Sequence, residues 1–186
     1  MTDEPDEVLR KFEELCYWVN SAFARIMEIE RKQPNYVAAL LAAIGCEALS
    51  RLCGHKKEEQ VFVEDLIPPG CPVDREMAAD LFDVLRNGLA HTFDTNFIRL
   101  PDGTTIEIVV SWKEMPHLGL RPSEPPGIYM NCEQMRIDLE AVYGRYREKL
   151  RASSYPGRKL PPTWTRKRYK AANEEAIEGW RRFLEQ

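Results

Sequence analysis

The 186-residue chain has no CxxC pair, no glycine-rich phosphate loop, no serine set in a nucleophile elbow and no internal repeat. Its five cysteines, Cys16, Cys46, Cys53, Cys71 and Cys132, are odd in number and scattered. That spacing favours a reducing cytosol over a disulfide framework or a cysteine-rich zinc site. Cys71, His117 and Cys132 lack metal-ligand spacing, and Cys46 and Cys53 fall in a segment that reads as core, so neither a metal nor a cofactor is expected. The longest strongly apolar run, Tyr36 to Cys46, is too short to span a bilayer. The acidic start, Met1-Thr2-Asp3-Glu4-Pro5-Asp6-Glu7, is neither a signal nor a transit peptide. The expectation is a cytoplasmic protein with no membrane partner.

What is present is ordinary for a globular chain, with 44% hydrophobic and 30% charged residues. A single domain of this size can bury roughly 70% of its unfolded surface and needs no covalent staple. The formal charge of −4 hides an asymmetry, because residues 145–170 hold ten Lys and Arg against one acid, Glu148. A basic block in an acidic chain is either an anion or nucleic-acid surface or a solvated helix end.

Apolar spacing of three and four predicts a helix over residues 6–32, broken by Gln33-Pro34-Asn35. A second, Ala- and Leu-rich and nearly uncharged, runs from Tyr36 to Cys53 with Gly54 as its C-cap. A short helix is expected from Glu58 to Leu66, and a third main helix runs from the N-cap Asp74 to about His91. Asn96 to Leu100 and Thr104 to Trp112, joined by Pro101-Asp102-Gly103, predict a β-hairpin with Ile106, Ile108, Val110 and Trp112 on one face. Ile128-Tyr129-Met130 is an expected third strand. Asn131 caps a long helix from Cys132 to Ala152, and Thr165 caps a last one to Leu184. The expected fold is mainly α, with four to five main helices and a β-hairpin or small antiparallel sheet inserted at residues 94–131. Residues 1–152 form the domain, 153–164 a Pro-rich linker, and 165–186 a C-terminal helix packed on the core.

Chemistry concentrates at Leu85-Arg86-Asn87-Gly88-Leu89-Ala90-His91. On a straight α-helix Arg86 and His91 differ by roughly 140° and 7.5 Å, so they share no face by spacing alone, whereas Asn87 and His91 stand one turn apart. A His can move protons near neutral pH, and an Arg offers a forked, permanently charged donor set for a phosphate in the transition state. The alternative is structural: Arg86 pairs with Asp83, and His91 sits at a helix C-terminus, where cations are favoured.

This Arg-Asn-x3-His motif, set after two long helices, resembles the signature of the HEPN superfamily, helical domains that include many metal-independent ribonucleases. Cys46-Glu47-Ala48-Leu49-Ser50-Arg51-Leu52 on the earlier helix adds to the likeness with uncharacterised bacterial HEPN-like proteins. The resemblance covers roughly residues 6–152 and implies a HEPN-like helical bundle in which Arg86 and His91 are catalytic and Asn87 supports them. It implies an endoribonuclease that cleaves RNA by 2′-hydroxyl attack as a homodimer, in the setting of a toxin or phage-defence effector with an antitoxin or defence partner protein. The alternative is a non-catalytic module of the same type that binds RNA, a nucleotide or a protein, or serves dimerisation. Two features depart from the pattern: Phe93 stands where some toxins of the superfamily place a Tyr that is modified, and the β insertion is extra.

Glu47 is the only charge between Tyr36 and Ser50. It either reaches toward Arg86 and holds it, or marks the solvent edge of its helix. In Trp164-Thr165-Arg166-Lys167-Arg168-Tyr169-Lys170, aromatic and basic residues interleave. Trp164, Arg166, Lys167, Arg168 and Lys170 suit single-stranded RNA, while the bland alternative docks Trp164 and Tyr169 on the core and leaves the cations in water.

Overall fold

The structure, a computed structural model, describes residues 5–29, 36–68, 70–88, 97–111, 117–122, 124–152, 154–155 and 157. Three long helices form its frame: α1 (Pro5–Ile29), α2 (Tyr36–Leu52) and α4 (Cys132–Arg151). Between them lie a π-helical turn (Phe62–Leu66), the short helix α3 (Arg75–Asp83) and a second π-helical turn (Val84–Gly88) that continues α3.

Helix α1 buries Val8, Phe12, Cys16, Val19 and Phe23, a row at steps of three and four. Its partner α2 is buried along most of its length by small residues, Ala38, Ala39, Ala42, Ala43 and Cys46, which let neighbouring helices approach closely. At Gly45 a Cβ would stand 2.7 Å from the Tyr143 hydroxyl of α4. Gly54, at φ +72°, ends α2 as predicted, and the His55 N–H bonds back to the Ser50 carbonyl. Asp74 caps α3 through the N–H groups of Glu76 and Met77, and Asn131 caps α4 through those of Glu133 and Gln134. Across the frame, Arg147 of α4 grips Glu13 of α1 with two bonds of 2.7 and 2.8 Å.

Residues 97–131 correct the expected architecture. The hairpin is present: β1 (Phe97–Arg99) pairs antiparallel with β2 (Thr105–Ser111). The sheet, however, has four strands in the order β1-β2-β4-β3, with β3 (Leu120–Arg121) antiparallel to β4 (Gly127–Asn131) and β2 parallel to β4. The fold is therefore a mixture of helices and a mixed sheet, not a helical bundle carrying a hairpin or a small antiparallel sheet. The physical reason lies in the connection from 112 to 126. It is long enough for the crossover that a parallel pair requires, and β3 within it returns along the far edge of β4. The register sets Ile108 against Ile128 and Val110 against Met130, all four buried, so one face of the parallel pair joins the helical core. β4 then runs directly into α4.

Trp112, the start and end of the linker, and the expected helix at 165–186 lie outside the described residues, as do residues 30–32 at the end of the first predicted helix. Among the described residues no helix is long and apolar enough to cross a membrane.

Candidate functional site

Arg86 lies in the second π-helical turn, where α3 has run past its last α-helical residue. Its Nε donates to Glu47 Oε2 at 2.9 Å and its Nη2 to Glu47 Oε1 at 3.5 Å. Nη1 donates to Asn87 Oδ1 at 2.9 Å. Glu47 is only 8% exposed, so a carboxylate in the wall of the core meets a guanidinium whose side chain is one-third exposed, at 33%. Glu47, through its hydrogen bonds and then its charge, raises the guanidinium pKa further above its usual value, with smaller contributions from Glu58 and Asp83. Arg86 is thus a permanent cation facing outward from a fixed base.

Of the two placements the sequence left open for Glu47, the structure has the one that reaches Arg86. The structural alternative for Arg86, a pairing with Asp83, is replaced by a partner on another helix. Asn87 turns to Arg86 and holds the outer edge of the guanidinium. His91 lies outside the described residues, as do Trp164, Arg166, Lys167, Arg168 and Lys170.

The sequence reading missed Arg51. One turn after Glu47 on α2, its Nη2 bonds Glu47 Oε1 at 2.7 Å, and it also pairs with Glu58. Two arginines therefore share one carboxylate, and a second carboxylate completes a chain Arg86–Glu47–Arg51–Glu58. The i,i+4 spacing of Glu47 and Arg51 was visible in the sequence, but nothing local announced that Glu58 would fold back onto Arg51.

The loop that carries Glu58 is anchored at both ends. Ser50 Oγ accepts from the Val61 N–H at 3.0 Å. The Tyr146 hydroxyl donates to Asp65 Oδ2 at 2.9 Å and stands 3.0 Å from His55 Nε2. Burial lowers the pKa of His55 and raises that of the Tyr146 hydroxyl. A shallow depression lined by Lys57, Gln60, Val63, Arg75 and Glu76 lies beside this loop; it contains none of the motif residues, and its rim carries both signs of charge.

Burial pushes the Cys16 and Cys53 thiols up to about 12, so neither is a thiolate nucleophile at neutral pH. Among the described residues no cluster of three His, Cys, Asp or Glu is placed to hold a metal ion. Comparison of the chain with protein-family models, with curated proteins and with solved structures finds no match.

Proposed function

We propose that the chain is a metal-independent endoribonuclease in which Arg86 and His91 act on one RNA phosphodiester, as the HEPN-like motif implies. The observation that carries this reading is the Glu47–Arg86 pair. It fixes a permanent cation at the surface, with its fork held from behind by Glu47 and from the side by Asn87. A cation held before substrate arrives stabilises developing phosphate charge without reorganising during the reaction.

In this mechanism His91 takes the proton from the ribose 2′-hydroxyl or delivers one to the leaving oxygen. The 2′-oxygen forms a bond to phosphorus, the bond to the 5′-oxygen breaks, and the products are a cyclic phosphate end and a 5′-hydroxyl. Arg86 neutralises the growing charge on the non-bridging oxygens, and Glu47 and Asn87 are positioning residues. A homodimer that brings two such motifs to one groove, a cytoplasmic setting, and a toxin or defence role with a partner protein all belong to the same proposal. Purified protein incubated with mixed RNA in EDTA tests it. Cleavage lost in both His91→Ala and Arg86→Ala is expected; equal cleavage by all three proteins, or none by the parent, removes the catalytic claim.

One observation favours a second reading, a non-catalytic binding or dimerisation module. Nε, Nη1 and Nη2 of Arg86 are all engaged within the chain, so the pair also acts as a bolt between α2 and the π-helical turn. On that reading Arg86→Ala loosens the fold or the dimer, and no RNA is cleaved by any form.

A further inference from the structure

We infer that Arg51 and Arg86 together receive one phosphodiester of a single-stranded RNA, and that Glu58 occupies the Arg51 side of this site until the RNA displaces it. The identity of the anion rests on the ribonuclease reading above; the site itself rests on the geometry of four side chains.

Arg51 Nη2 and Arg86 Nη2 both reach the same atom, Glu47 Oε1, at 2.7 and 3.5 Å. Two guanidinium groups that bond one oxygen stand close enough for the non-bridging oxygens of a single phosphate to touch both. One carboxylate neutralises only one of them. The second charge is balanced by Glu58, whose carboxylate lies on Arg51 and close enough to Arg86 to raise its pKa as well.

The two acids are not equivalent. The Glu47 side chain is 10% exposed and is fixed between two helices, whereas that of Glu58 is 52% exposed and projects from the loop after α2. An exposed pair of this kind is weak and exchangeable, while the inner one is not. Asp83 adds a further negative charge near Arg86, so with Glu58 in place the immediate surroundings of the two arginines are slightly acidic. Anions are then held off until Glu58 is moved aside. Glu58 thus stands in for the phosphate, as a built-in competitor. The forked, planar donors of two arginines match a phosphodiester better than a carboxylate, which has no third oxygen to offer.

Fluorescence anisotropy with a labelled, uncleavable 2′-O-methyl oligonucleotide tests this on the full chain, with inorganic phosphate as the competing small anion and circular dichroism confirming that each variant is folded. Glu58→Gln is expected to bind up to about five-fold more tightly, the worth of an exposed ion pair. Arg51→Ala is expected to weaken binding by about ten-fold or more and to reduce the slope of log affinity against log salt by about 0.7, the signature of one lost phosphate contact on a single strand. Arg51→Lys, which keeps the charge and loses the fork, should fall between. The inference is overturned if Glu58→Gln binds no more tightly than the parent, if Arg51→Ala keeps the parent's affinity and slope, if millimolar phosphate displaces the oligonucleotide completely, or if no form binds. Cleavage of ordinary RNA is read separately. Cleavage with unaltered binding in the Glu58 and Arg51 variants sinks this inference and leaves the ribonuclease reading standing; the expected binding changes without cleavage do the reverse.

Discussion

Arg86 and Glu47, 39 residues apart in sequence, are joined by a 2.9 Å bond from Nε to Oε2 that ties the π-helical turn after α3 to the C-terminal half of α2. The two partners are not equally replaceable. Removing Arg86 leaves Glu47 paired with Arg51, whereas neutralising Glu47 takes away the negative charge that two adjacent arginines share and replaces one acceptor oxygen with an NH2 donor. Glu47→Gln should therefore cost about 1–2 kcal/mol of unfolding free energy, a charged hydrogen bond discounted for the exposure of Arg86. Arg86→Ala should cost less. Urea unfolding of both variants checks the order, and equal losses would mean that Arg51 gives Glu47 no support.

Among the described residues the Tyr143 hydroxyl is buried without a hydrogen-bond partner, and burial drives its pKa well above the ordinary tyrosine value. Tyr143→Phe should be neutral or stabilising by about 1 kcal/mol, since it removes a desolvated polar group and keeps the ring edge-on to Phe12. Gly45→Ala should destabilise by about 1–3 kcal/mol, because the new methyl meets that hydroxyl. A thermal melt of the double variant measures the coupling: the Ala should cost less when the hydroxyl is gone.

Ser50 is fully buried and its hydroxyl is the acceptor for the Val61 N–H. Ser50→Ala strands that amide, at a cost of about 1–3 kcal/mol, and should speed hydrogen exchange at Val61. An unchanged protection factor would show that the anchor of the 53–61 loop lies elsewhere.

Stability should fall as pH drops below about neutrality. His117 accepts from the Asn131 N–H through Nδ1 at 3.2 Å, so the neutral ring is the one that fits, and burial lowers its pKa below the reference 6.5. Burial lowers His55 in the same direction. In the unfolded chain both rings titrate near 6.5, so between that pH and the lower folded values the unfolded state binds more protons. Their contribution is fully present above 6.5 and is lost progressively as pH falls from there through the lower folded values. His117→Gln, which retains an acceptor for the Asn131 amide, should flatten the drop between pH 7.5 and 5.5 in a denaturant series; an unaltered slope would remove His117 as its source.

Much of this was readable in advance. The rows of apolar residues in α1 and α4 follow from the 3.6-residue period, and Asp74, Asn131 and Gly54 act at helix ends because side-chain oxygens and a positive φ satisfy backbone groups locally. The Pro101-Asp102-Gly103 turn likewise determines a hairpin through its own three residues. The four-stranded sheet was not readable. The pairing of β2 with β4 joins residues on either side of a proline-rich crossover, and two-residue β3 carries no alternation to detect.

The same division runs through the site. The sequence by itself determined that Arg86 and Asn87 lie together late in a helical segment and that Glu47 is a lone charge in an apolar one, since these are facts of order and spacing. Only the tertiary structure decided that Glu47 lies beneath Arg86, that Arg51 shares its carboxylate, and that Glu58 closes the chain of charges. Packing of α2 against the end of α3 and the folding back of one loop set those contacts, and the energy that brings such residues together comes from core burial far from the charges themselves.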